Sequence, residues 1–165
     1  MPLRGDFNLL NITAALLVSE ILKVKKEVIR KTLKSFKALP HRLEFIGKYK
    51  GVEFYNDSLA TIPQAVEAGL EAFENNKVKT LILGGIYVKG FDFENLAKKI
   101  LSLKVETLIF LDRGAKDSKT TETGEKIWNL IKKNTIKTPC VFFVSSMTEA
   151  VKKAYQTTKK QRRMD

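Results

Sequence analysis

Three short runs, at 80–83, 105–111 and 140–144, are apolar almost throughout, and stretches of helical periodicity lie between them. This alternation constrains the fold more than any other feature of the chain. A run with no polar alternation suits a strand buried on both faces, and strands separated by helices are joined in parallel by crossovers. Asp92 is placed to cap a helix running to 103, and Ile127, Trp128, Leu130 and Ile131 mark another near 122–133. Ser146-Met147-Thr148-Glu149 reads as a capping box opening a last helix. The predicted class is α/β, a mostly parallel sheet with helices on both faces.

The first sixty residues carry a different pattern. Residues 8–22 read as a helix with leucine and isoleucine around much of its surface, so burial on more than one side is expected. Residues 26–37 read as an amphipathic helix, with Val28, Ile29, Leu33 and Phe36 on one stripe and lysines on the other. The short link between them predicts a helical hairpin ahead of the α/β part, with a boundary near Leu39, before Pro40. Beyond it Leu43, Phe45 and Tyr49 alternate with Glu44, Ile46 and Lys48. Lys50-Gly51 is a turn candidate, and 52–55 would be the returning strand. Pro63 suits the first turn of a helix reaching about 74, whose Ala65, Ala68, Gly69 and Ala72 permit close packing.

Composition narrows the function classes. At 165 residues the chain is about one domain long and can bury a real core. The net charge is +12, but residues 23–37 hold seven Lys/Arg against one Glu, and residues 152–163 hold six with no acid. The remainder has as many acids as bases. The excess therefore belongs to one helix face and one tail, without the interleaved aromatics of a single-strand binder, and no nucleic-acid partner is expected. One cysteine, Cys140, builds no disulfide framework, which favours a reducing cytoplasmic setting; placed mid-strand, it should be buried and inert. No apolar run is long enough for a membrane span and the first residues lack the order of a signal peptide, so no membrane partner is expected.

Ligands in open parallel sheets bind beyond the carboxyl ends of the strands, and three segments have chemistry to offer there. In the loop 56–61, Asp57 can meet a cation or a ligand hydroxyl, and Ser58 and Thr61 can meet an anion at a helix N-terminus. The same loop also reads as a plain Asx-turn with a threonine cap. Gly84-Gly85 with Lys89-Gly90 allows close backbone approach beside a point charge, though it is neither a dinucleotide fingerprint nor a Walker A loop. His41-Arg42 sits at the predicted boundary. The lone histidine suits a structural hydrogen bond, and the arginine suits a phosphate or a purine face. No metal-ligand cluster is expected.

Taken in order, these segments resemble the Mur ligase family. Leu3-Arg4-Gly5-Asp6-Phe7-Asn8-Leu9-Leu10-Asn11 is similar to its Gly-x-His-Asn-x-x-Asn signature. Phe36 to Glu44 is similar to Phe-x-Gly-Leu-x-His-Arg-x-Glu, and Gly51 to Thr61 to Gly-Val-x-Phe-x-Asn-Asp-Ser-x-Ala-Thr. Leu83-Gly84-Gly85 followed by Lys89-Gly90-Phe91-Asp92-Phe93 resembles Gly-Gly-x-Asp-Lys-Gly-x-Asp-Phe. Order and spacing match the D-glutamate-adding branch over residues 3 to about 158.

The resemblance implies an ATP-dependent, Mg2+-dependent ligase of peptidoglycan synthesis, in which ATP phosphorylates a carboxylate and an amine then attacks the acyl phosphate. The implied substrates are UDP-N-acetylmuramoyl-L-alanine and D-glutamate. Residues 1–39 would end the central ATPase domain, and 40–165 would be the Rossmann-like C-terminal domain. Asn8, Asn11, His41, Arg42 and Asp57 would serve the nucleotide; Ser58, Thr61 and Lys89 would serve D-glutamate. The chain departs from the pattern at Phe7 (usually His), Leu59 (Lys), Ile62 (Asn) and Val88 (Asp), in a loop one residue longer. It carries neither a Gly-x-x-Gly-Lys-Thr phosphate loop nor the closing Ser-x-Asp-x-Phe segment. By itself it is therefore expected to hold no catalytic residue and to be inactive without the N-terminal and central domains. The alternatives are a ligase for another amino acid and a stand-alone domain that binds a nucleotide or a protein without catalysis.

Overall fold

The chain divides into two units, Met1–Ala60 and Thr61–Asp165. The structure, a computed structural model, describes residues 3–73, 78–85, 90–111, 118–136 and 138–161.

The second unit holds α3 (Pro63–Glu71), β3 (Thr80–Gly84), α4 (Glu94–Ser102), β4 (Thr107–Leu111), α5 (Ser118–Asn134), β5 (Cys140–Val144) and α6 (Met147–Gln161). The three strands are parallel in the order β3-β4-β5, with Thr80 opposite Thr107 and Thr107 opposite Cys140. The α/β class read from the alternation holds, and alternate residues of the central strand explain why. Leu108 and Phe110 face a core built with Leu70 of α3, Leu96, Ala97 and Ile100 of α4, and Ile127 and Ile131 of α5. Ile109 faces the other way, packing with Val144 and with Ala150 and Ala154 of α6. Each fully buried aliphatic side chain here contributes about 1.5–3 kcal/mol.

Gly124 lets α5 approach the sheet closely. A Cβ there would stand 3.0 Å from Phe110 Cγ and 3.0 Å from Phe143 Cε1. The start of α4 differs slightly from expectation. Phe93 takes the cap position, and Asp92 Oδ1 accepts the Glu94 N–H at 2.8 Å from one residue earlier. At α6, Ser146 Oγ accepts from Glu149 N–H as a capping box requires, while Glu149 reaches back to Ser145 N–H instead of Ser146.

The first unit holds α1 (Phe7–Ile21), α2 (Lys26–Ser35), β1 (Glu44–Tyr49) and β2 (Val52–Asn56). The strands form an antiparallel hairpin closed by Lys50-Gly51, both with positive φ (46° and 86°), as a tight primed turn demands.

Three expectations fail. No residue of α1 is buried, and Leu10 and Ile21 are 75% and 77% exposed, because nothing in the described chain covers its apolar surface. The period-two pattern of β1 does not give one buried face. The register slips between Phe45 and Gly47, and both Phe45 and Ile46 lie exposed. Cys140 opens β5 instead of lying inside it, and is exposed.

Candidate functional site

Arg42 is bracketed by two left-handed residues, His41 (φ 64°) and Leu43 (φ 46°). Non-glycine residues reach that conformation only against a steric penalty, so something must hold them there. Two carboxylates do. The His41 backbone N–H donates to Glu44 Oε2 at 2.8 Å, and the Leu43 backbone N–H donates to Asp57 Oδ1 at 3.0 Å. The His41 carbonyl then accepts from Leu59 N–H at 3.1 Å, which ties the loop after β2 onto the same turn.

His41 makes the structural hydrogen bond that its isolation suggests. Its Nδ1 lies 2.7 Å from the Asn56 side-chain amide and 3.8 Å from Glu44 Oε2. Asn56 also accepts the Ser58 backbone N–H through Oδ1 at 3.1 Å, so the loop does form an Asx-type turn. Asp57, half-buried, is the electrostatic centre of the cluster. Burial pushes its carboxyl above the usual range, while the Leu43 N–H and the Arg42 guanidinium pull it down.

Arg42 lies with its guanidinium carbon 5.2 Å from the centroid of the Phe7 ring. Phe7 begins α1, and Asn8 follows it. The Asn8 side-chain amide donates to the Arg4 carbonyl at 2.7 Å, and Asn11 reaches Asn8 Oδ1 at 3.5 Å. The first unit thus gathers His41, Arg42, Asp57 and Ser58 at one turn, with Asn8 and Asn11 on the helix whose Phe7 lies against Arg42. Thr61 opens the second unit but does not cap α3: Ile62 takes the cap position, without a side-chain cap bond, ahead of Pro63. Lys89 lies outside the described residues.

Reading the sequence missed three participants: Phe7 beneath Arg42, Asn56 beside His41, and Tyr55. The Tyr55 ring carries Arg4 at 5.1 Å, and its hydroxyl accepts from Arg4 at 3.2 Å and donates to Glu53 at 3.1 Å. The signal available was the pairing of a positive residue and an aromatic across two motifs, Arg4 with Tyr55 and Phe7 with Arg42. Sequence spacing alone does not reveal such pairs.

This arrangement defines an α/β domain preceded by a turn that presents an arginine and a half-buried carboxylate, chemistry suited to a phosphate-bearing ligand with hydroxyls. Residues 41–164 match the family described as Mur ligase, glutamate ligase domain. UDP-N-acetylmuramoylalanine–D-glutamate ligases are similar along nearly the whole chain. That of Thermoanaerobacter sp. (strain X514) is 35% identical over 94% of this chain and 31% of its own length. That of Aquifex aeolicus (strain VF5) is 36% identical over 96% and 34%, and that of Enterococcus faecalis (strain ATCC 700802 / V583) 34% over 94% and 31%. The chain belongs to the Mur ligase family.

The crystal structure of MurF from Acinetobacter baumannii shares the fold, with TM-score 0.57 at 20% identity over 94% of this chain and 38% of that one. The chain spans about a third of the length of the curated relatives it matches. Among the described residues, no helix is long and apolar enough to cross a membrane, and no group of three His, Cys, Asp or Glu side chains gathers to hold a metal.

Proposed function

We propose that the chain is the C-terminal part of an ATP-dependent ligase that joins D-glutamate to UDP-N-acetylmuramoyl-L-alanine in peptidoglycan synthesis. The observation that carries this reading is the strained turn at Arg42. Two left-handed residues tied down by Glu44 and Asp57 hold one arginine in place, and backbone strain of this kind collects at functional positions. The names of the similar enzymes supply the amino acid.

On this reading Arg42 takes the nucleotide phosphates, Asp57 a ribose hydroxyl or the phosphate region, and Asn8, Asn11 and His41 the base side. Ser58, Thr61 and Lys89 serve the D-glutamate. Fit to ATP is supported by the half-buried Asp57 beside an arginine that, among the described residues, has no anion bound to it. Magnesium would arrive with the triphosphate and be held largely by the central domain. Residues 1–39 are read as the end of that central domain and 40–165 as the C-terminal domain. The start of the family match at residue 41 and the uncovered leucines of α1 support this. The setting is the cytoplasm, with neither nucleic acid nor membrane as partner.

Phosphate release by the full ligase carrying this segment, with ATP, UDP-N-acetylmuramoyl-L-alanine and each candidate amino acid, tests the proposal. Release dependent on D-glutamate supports it. Release with another amino acid sinks the specificity. A second reading, a binding domain without catalysis, is favoured by Leu59, a 49% exposed apolar side chain where the family pattern has a lysine. Nucleotide binding with no phosphate release from any substrate would select it.

A further inference from the structure

Two arginine–aromatic contacts link the start of the chain to the hairpin and the turn before it, and they run in opposite senses. Arg4, ahead of α1, lies over Tyr55 of β2; Phe7, the first residue of α1, lies under Arg42, ahead of β1. They differ in what the arginine has left to give. Arg4 donates to the Tyr55 hydroxyl at 3.2 Å, so it is engaged by its partner's edge as well as its face. Phe7 has no polar atom. It can hold a guanidinium by stacking alone, which leaves the in-plane N–H donors pointing outward. Among the described residues, the Arg42 guanidinium forms no hydrogen bond and no ion pair, although Asp57 is near enough to feel its charge.

The backbone that carries Phe7 is tied down. The turn at Gly5 (φ 93°), the Asn8 N–H bond to the Gly5 carbonyl at 3.1 Å and the Asn8 side chain on the Arg4 carbonyl at 2.7 Å lock the first turn of α1. From the other side, the bonds of His41 and Leu43 to Glu44 and Asp57 fix the backbone of Arg42. A histidine at position 7, as the family pattern has, would offer a ring nitrogen that consumes a donor when neutral and repels the guanidinium when protonated.

We propose that Phe7 is a positioning residue for Arg42, stacking beneath the guanidinium so that its donor edge stays open for the phosphates of a nucleotide. The inference rests on the nucleotide reading above, but its tests separate from it. A planar fork held flat loses little freedom when it grips phosphate in two places, whereas an unsupported arginine must be ordered on binding.

The test uses the full ligase carrying this segment, with ATP as probe and the Nε–Hε signal of Arg42 followed by NMR. In the native chain that signal should sit upfield through the ring current of Phe7. Phe7→Leu should return it to the ordinary position and weaken ATP binding by about three- to thirtyfold. Phe7→Tyr, which keeps the ring, should preserve both the shift and the affinity to within about twofold, and circular dichroism should show all variants folded. Unchanged affinity in Phe7→Leu, beside a clear loss in Arg42→Gln, overturns the proposal and leaves the nucleotide reading standing. Unchanged affinity in Arg42→Gln, or no ATP-dependent shift at Arg42 in the native chain, overturns both. Loss of affinity in Phe7→Tyr equal to that in Phe7→Leu also overturns the proposal, because any disturbance of the packing would then suffice.

Discussion

Asp57 Oδ1 accepts the backbone N–H of Leu43 at 3.0 Å, joining residues fourteen apart in sequence. The bond has two consequences. It holds Leu43 in a left-handed conformation, and it seats a half-buried carboxylate beside Arg42. Backbone geometry and site electrostatics therefore depend on one side chain.

Removing that side chain should be felt in stability. Asp57→Ala leaves the Leu43 N–H without its acceptor, which costs about 1–3 kcal/mol for a buried group and less where water can reach in. Urea unfolding followed by fluorescence measures it. Asp57→Asn keeps an oxygen acceptor and should lose less than Asp57→Ala; equal losses would mean that the charge, not the bond, holds the turn.

The same carboxyl should titrate above the ordinary aspartate range, because burial outweighs the Leu43 N–H and Arg42. A carboxyl whose folded midpoint is raised binds its proton more tightly in the folded state. Its contribution to stability is full below the unfolded midpoint and is lost as pH rises through the folded one. Unfolding free energy of the native chain minus that of Asp57→Asn should therefore fall across the window just above the usual aspartate value. Arg42→Gln should push the Asp57 midpoint higher still, as read from its carboxyl carbon shift. A midpoint that moves down, or stays, would contradict the placement of Arg42.

Gly124→Ala sets two effects against each other. Alanine gains about 1 kcal/mol of helix propensity over glycine. Its Cβ, however, would meet Phe110 Cγ and Phe143 Cε1 at 3.0 Å, and Phe110 is buried, so overpacking of about 1–3 kcal/mol should win. A net destabilisation of up to about 2 kcal/mol is expected in thermal or urea unfolding. A net gain would mean that the two rings move aside freely.

The uncovered surface of α1 should make the isolated chain associate. Leu10 and Ile21 are 75% and 77% exposed. Replacing both with lysine should alter folding stability by no more than about 0.5 kcal/mol each. Sedimentation equilibrium should nonetheless show weaker self-association in the double variant than in the native chain. Equal association would place the sticky surface elsewhere.

The sequence by itself determined the class of the second unit. Apolar runs at β3, β4 and β5 with helical periods between them admit little besides a parallel sheet covered on both faces, because period and burial are local properties of the chain. The turn at Lys50-Gly51 and the helix opening at Pro63 were legible for the same reason. Only tertiary structure decided what each segment meets. The leucines of α1 read as buried and are exposed, since burial depends on a partner surface that periodicity does not encode. The alternation in β1 failed at Ile46, where a slip in pairing breaks the face that the sequence draws. At the candidate site, the motifs marked Arg42 and Asp57, but not the contact of the Phe7 ring with Arg42. Contacts between segments 35 residues apart arise from the path of the chain in space, and residue order leaves that path unspecified.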